Sequence, residues 1–176
     1  MKDFGIKHIA AIIVGTILYF MLGRFITLPS GIPNTNITFH CGILSLIAAI
    51  FGPIPGLITG FAGQFLVDAS YGWGVWWSNV LAASVFGGMH GMIAYRLNVK
   101  ECGFTKEGIL KFNISQVISN LLAWSAVAPL LDIIIYGEGA GPAFIKGLSN
   151  TGANIITTAV LGTLLYGLYV KLSDRI

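Results

Sequence analysis

Charge is scarce in this sequence: Asp, Glu, Lys and Arg make up 10% of its 176 residues, against 55% hydrophobic ones. A soluble domain carries roughly 25% charged residues, so too little charge is present to cover a surface that faces water. A surface facing lipid needs no such cover. Cysteine is sparse as well. Cys41 and Cys102 form no CxxC pair, and no HExxH occurs, so no metal site is expected. Without a GxxxxGK[ST] stretch there is no P-loop for ATP. Without a GxSxG elbow or an evident Ser-His pair, no nucleophile is armed. The apolar segments show no carboxylate relay of the kind proton-coupled transporters use. Asp68, His40 and His90 are the only general-base candidates, and nothing in the sequence brings them together. No catalytic residue, cofactor or nucleic-acid partner is expected.

Long apolar runs fill the remaining space. A helix crossing about 30 Å of hydrocarbon needs about 20 mostly apolar residues. Six stretches meet or approach this: Gly5 to Gly23, Ile37 to Phe51, Ile54 to Ser70, Val75 to Leu97, Ile109 to Tyr136 and Ala143 to Val170. The fifth carries Pro129, which predicts a kink. Glycine and proline punctuate the joints, as in Gly52-Pro53-Ile54-Pro55-Gly56, Tyr71-Gly72-Trp73-Gly74 and Gly137 to Pro142. The first connection, Phe25 to Asn36, is longer and holds Pro29, Gly31 and Pro33. Lys2, Asp3 and Lys7 precede the first run, and no small-residue cleavage site follows it. It reads as a retained helix. The expectation is an all-α, polytopic, multi-pass protein of the bacterial cytoplasmic membrane, with residues 1–176 forming a single six-helix transmembrane domain.

The basic residues orient it. With the N-terminus in the cytoplasm, Lys2, Lys7, Arg96, Lys100, Lys106, Lys111, Lys171 and Arg175 lie inside, and Arg24 and Lys146 outside. Eight of the ten on one side satisfies the positive-inside rule, with both termini cytoplasmic. Cys41 and Cys102 then fall on opposite faces, which excludes an internal disulfide. Trp73, Trp76 and Trp77 share the external face with the first and last loops, where part of the cluster forms an interfacial belt.

Polar side chains inside membrane helices are costly and usually functional. Gln64 and Asp68 stand four apart, on one helical face. Asn113, Gln116, Asn120 and Trp124 form one polar stripe; Asn150 and Asn154 form another, with Lys146 one turn outward. Trp76 and Asn79 open the fourth segment, and Asn34, Asn36 and His40 lead into the second. Amides can serve as glue between helices. As a set converging on the external half, they suit a pocket for a neutral or mildly charged heterocycle, with amides as paired donors and acceptors and indoles as stacking surface. The expected substrate-binding residues are Asn34, Asn36, His40, Gln64, Asp68, Trp76, Asn79, Asn120, Trp124, Asn150 and Asn154. His90 lies within Gly87-Gly88-Met89-His90-Gly91, where close helix packing explains it. Ala11-x-x-x-Gly15 puts a smooth stripe on an otherwise bulky first helix, a candidate docking surface for another subunit.

The ordered set Leu28 to Asn36, Ile50 to Gly56, Gly60 to Asp68 and Tyr71 to Trp77 resembles the S components of energy-coupling factor (ECF) vitamin transporters. It is most similar to the riboflavin-type, UPF0397-like group. The similarity is densest over residues 25 to 95, with weaker echoes from Asn150 to Gly162. The resemblance implies a six-helix substrate-binding subunit without ATPase activity, whose first loop forms a lid over an external pocket. It implies docking through small residues of the first helix, Ala11 and Gly15 here, onto an ECF coupling transmembrane subunit that carries two ATPase subunits. Ala11 and Gly15 sit where that family keeps its alanine pattern, and Gly at the second position is a departure that leaves the packing argument intact. The family label points to riboflavin first. Cobalamin, a pyrimidine thiamin precursor and pyridoxine suit the same amide and indole inventory. The alternative is a self-sufficient small-molecule channel or facilitator, which would need no ATPase-bearing complex. A membrane enzyme acting on a lipid-soluble substrate would need its scattered bases brought together.

Overall fold

The computed structural model describes residues 4–29 and 36–173. The chain is an all-α membrane protein. Its described residues form seven helices: α1 (Ile6–Phe25), α2 (His40–Phe51), α3 (Pro53–Ser70), α4 (Trp77–Arg96), the single turn α5 (Val99–Cys102), α6 (Lys106–Tyr136) and α7 (Ala140–Ser173). Of these, α1, α6 and α7 are long and apolar enough to cross a membrane. A two-stranded antiparallel ribbon, β1 (Thr27–Pro29) with β2 (Asn36–Thr38), joins α1 to α2, with Thr27 opposite Thr38 and Pro29 opposite Asn36. Because Asn36 to Thr38 are spent on the ribbon, the second apolar segment becomes a helix of 12 residues. At 1.5 Å per residue it is about 18 Å long.

That short helix is the centre of the bundle. Most of α2 is buried, whereas α1 buries only Ala11, Gly15, Tyr19 and Gly23 and exposes Ile9, Ile13, Ile17 and Met21. Lipid accepts the bulky face, so the small face is left to pack against protein. A Cβ added at Gly15 would stand 2.8 Å from Ile47 Cγ1 and 3.2 Å from Thr59 Cγ2. Ala11 packs with Ile43 and Ile47. The Ala11/Gly15 stripe therefore seats α1 on α2 and α3 of its own chain. The two residues expected at a docking surface are thus packed within the chain.

A second glycine seam joins α3 to α4. Gly56 meets Gly87, Gly60 meets Ala83, and Gly91 meets the start of α3. A Cβ added at Gly91 would lie 2.7 Å from Gly52 C and Pro53 Cα, both backbone atoms that cannot rotate away. Gly91→Ala is expected to destabilise the protein by about 1–3 kcal/mol through overpacking. A melting curve in detergent checks this, and an unchanged midpoint would show that the two helices separate freely.

Pro129, where a kink is expected, reshapes the turn before it. Its ring cannot sit over the carbonyl four residues back, and it has no N–H to offer. The preceding turn, Ala123–Val127, widens to π geometry, with Ala128 N–H reaching Ala123 O. The widened turn lays the Trp124 carbonyl and the Pro129 ring against Gly147 of α7. A π turn thus fixes where Trp124 stands.

Candidate binding site

The site begins with a relay from α1 to α3. Tyr19, fully buried, donates from its hydroxyl to Gln64 Oε1 at 2.7 Å, and Gln64 Nε2 donates to Asp68 Oδ1 at 2.7 Å. Helical spacing makes the second bond possible, since residues four apart share a face. The other carboxylate oxygen, Oδ2, accepts the backbone N–H of Trp76 at 3.1 Å. On the far side the Tyr19 ring stacks on His40, centroids 4.3 Å apart. His40 starts α2, with Nε2 3.4 Å from Thr38 Oγ1 of the ribbon.

Above this relay lies a cavity of about 140 Å³. Seven of the expected residues line it: His40, Gln64, Asp68, Asn79, Trp124, Asn150 and Asn154. They come from α2, α3, α4, α6 and α7, elements distant in sequence. Trp124 is almost fully buried, yet its indole Nε1 has no hydrogen-bond partner among the described residues. Thr27 and Thr38 of the ribbon, with Gly23, Val67 and Tyr71, complete the wall. Sequence reasoning missed these five, and only the Thr pair carried a signal, flanking the proline-bearing loop. Arg24 sits over the Tyr71 ring, 4.5 Å from its centroid.

The other expected residues stand elsewhere. Asn120 donates to the backbone and side-chain oxygens of Gln116 at 3.0 and 2.8 Å. It bonds within its own helix and is not among the residues that line the cavity. Asn113 acts as interhelical glue, donating to Thr163 Oγ1 at 3.0 Å. Asn36 pairs through its backbone with Pro29. Asn34 lies outside the described residues. His90 is fully buried between Phe86 and Phe112, 3.0 Å from Ser115 Oγ. It is apart from the cavity.

Trp76 does not line the cavity, but it connects the cavity to a second polar cluster. Its indole stacks on Tyr136 at 4.1 Å, and its Nε1 donates to Asp132 Oδ1 at 2.8 Å. Asp132 is fully buried, and also accepts the Ser78 hydroxyl. Lys146 Nζ lies 2.8 Å from Asp132 Oδ2, 2.6 Å from Glu138 Oε2 and 5.3 Å from the Trp76 ring centroid. Sequence reasoning passed over Asp132. The signal was a single carboxylate inside Leu130-Leu131-Asp132-Ile133, which lipid would not tolerate unpaired.

The cavity is lined by one carboxylate, four amides, an imidazole, a phenol and an indole. Such a set can orient a small polar ring by hydrogen bonds and hold it by stacking.

Comparison with known proteins bears on that capacity. A family profile described as ECF-type riboflavin transporter, S component, matches residues 3–171. UPF0397 proteins of Staphylococcus aureus strains bovine RF122 / ET3-1 and MSSA476 are each 38% identical over 170 residues, covering 97% of this chain and 92% of theirs. The UPF0397 protein of strain Newman is similar to the same extent. No solved structure matches.

Proposed function

This chain belongs to the ECF-type riboflavin transporter S component family, and from that premise we propose that its cavity captures a vitamin-type molecule outside the cell for import. The family is one of transporter subunits, with a small-molecule substrate and an ECF module as partner. The observation that carries the reading is the convergence of His40, Gln64, Asp68, Asn79, Trp124, Asn150 and Asn154 on one cavity. That set offers hydrogen-bond partners and ring surface for a bound molecule. The chain carries no P-loop. Release into the cell then draws on a coupling transmembrane subunit and two ATPase subunits.

In this reading α1, α2 with its ribbon, α3, α4, α6 and α7 are the six crossings, in the cytoplasmic membrane, with both termini inside. The basic residues support the orientation. Both cations assigned to the outer side are engaged by protein: Arg24 on Tyr71, and Lys146 with Asp132 and Glu138. Trp73 and Lys106 are exposed at opposite ends of the bundle in this scheme. Single cysteines placed there in a Cys41→Ala/Cys102→Ala background test it with an impermeant thiol reagent on intact cells. Labelling is expected at position 73 and not at 106. The reverse would invert the orientation.

Transport separates the reading from a self-sufficient channel. Cells producing the chain alone are expected to bind substrate without ATP-dependent accumulation. Accumulation is expected only when an ATPase-bearing coupling complex is co-produced and co-purifies. Uptake by the chain alone in proteoliposomes would favour the channel.

A further inference from the structure

None of Asp132, Lys146 and Glu138 lines the cavity. Stability alone does not account for their charges. Desolvating two ions is costly, and an apolar pair of similar volume is often as stable as the pair it replaces. What charged partners add, and apolar ones do not, is fixed direction. Asp132 Oδ1 accepts Trp76 Nε1 at 2.8 Å and the Ser78 hydroxyl, while Oδ2 faces Lys146 Nζ at 2.8 Å. Glu138, in the turn between α6 and α7, holds the same ammonium at 2.6 Å. Tyr136 closes the group: its ring stacks on the Trp76 indole at 4.1 Å, and its hydroxyl accepts the Trp77 N–H at 2.8 Å.

The cluster reaches the cavity wall from two sides. On one side, Trp76 gives its backbone N–H to Asp68 Oδ2 at 3.1 Å, so the residue whose indole Asp132 holds also fixes the carboxylate of the wall. Trp76 caps α4, and its carbonyl accepts at 3.0 Å the backbone N–H of Asn79, a second wall residue. On the other side, Lys146, Asn150 and Asn154 stand four apart, on one face of α7. The two amides line the cavity. Pinning Lys146 on the carboxylates of Asp132 and Glu138 fixes how α7 is turned about its axis. A turn by one residue, about 100°, would carry both amides off the wall.

Resting on the binding-subunit reading above, we propose that this cluster is a brace between two walls of the cavity. Trp76 and Lys146 are its positioning residues. They hold Asp68 and Asn79 on one side and Asn150 and Asn154 on the other, and act on a bound molecule only through these four. Loss of the brace lets the walls part while the fold is kept.

The test reads the cavity without needing its occupant. Asn154→Cys in a Cys41→Ala/Cys102→Ala background is reacted with methyl methanethiosulfonate in the purified full chain, and the rate is followed by intact mass. The reagent is small and uncharged, so removing an ion pair leaves its approach unaltered. Trp76→Phe keeps a ring on Tyr136 and removes the donor to Asp132. Asp132→Leu/Lys146→Met removes the ion pair and keeps apolar volume. Each is expected to raise the rate at position 154 roughly tenfold, the shift in an open–closed balance when one hydrogen bond to a charged group is lost. Melting curves confirm that each variant is folded. Combined, the changes are expected to match Asp132→Leu/Lys146→Met within about twofold, because the indole then has no acceptor left to lose; independent losses would multiply. An unchanged or lowered rate in both variants overturns the brace. Multiplied effects overturn Trp76 as its link. If Asp132→Leu/Lys146→Met does not fold, the rate in Trp76→Phe decides alone. Mass spectrometry of retained small molecules separates the brace from the reading beneath it. A compound retained equally by the wild type and Asp132→Leu/Lys146→Met overturns the brace's part in binding. A wild type that retains none, with the rates as expected, overturns the binding-subunit reading and leaves the brace.

Discussion

Lys146→Met is expected to destabilise the protein by about 3–5 kcal/mol, the effect of leaving one member of a buried ion pair without its partner. Asp132 is fully buried, and without Lys146 its charge would rest on Trp76 Nε1 and the Ser78 hydroxyl alone. For a chain of this size that amounts to a fall in melting temperature on the order of ten degrees. Asp132→Leu combined with Lys146→Met should recover much of the loss, because an apolar pair of similar volume is often as stable as the ion pair it replaces. Melting curves of the single and double variants in one detergent check both statements. If the single variant melts with the wild type, the cluster is wetted and contributes little. If the double variant is no better than the single, the loss comes from the packing of the Lys146 stem.

The second large effect falls on ligand binding. Asn150→Ala and Asn154→Ala each remove an amide from the cavity wall. An amide that leaves a buried ligand group unsatisfied costs about 1–3 kcal/mol, a weakening of roughly fivefold to 150-fold. Interhelical glue in membranes averages only about 0.6 kcal/mol and would act on the melting point. Each variant is therefore expected to bind the retained ligand roughly tenfold more weakly, with little change in the melting curve without ligand. For Trp124 the informative change is to Phe. The indole packs in the core with Leu44, Ala82, Ala83 and Phe86, so Trp124→Ala would mix lost binding with a cavity cost of about 3–5 kcal/mol. Trp124→Phe keeps most of the ring and removes only the unpartnered N–H. Titration beside a melting curve separates the cases, and unchanged affinity in all three variants would assign these residues to packing.

Much of the site was legible because helical spacing states which residues share a face. Gln64 with Asp68, and Asn150 with Asn154, were paired on that ground alone, and they line one cavity. Spacing does not state what a face looks toward. In lipid the outward side of a helix is as apolar as the inward side, so the Ala11/Gly15 stripe carried no sign of its partner. It proved to be α2 and α3 of the same chain. The same ambiguity sent Asn120 to the pocket, although it bonds within α6. The ribbon of Thr27–Pro29 and Asn36–Thr38 was hidden by its length, three residues a strand, too few for a period-two pattern to emerge. Asp132 was lost in an apolar run because its partner, Lys146, lies beyond the next turn.

The central claim is that the cavity walled by Asp68, Trp124, Asn150 and Asn154 holds a small molecule from outside the cell. The most direct measurement is mass spectrometry of small molecules released on denaturing the purified wild type and Asn154→Ala side by side, at equal protein. The account predicts one compound released from the wild type near one equivalent, and strongly depleted in the folded Asn154→Ala protein. No compound from the wild type, or equal amounts from both, would contradict it.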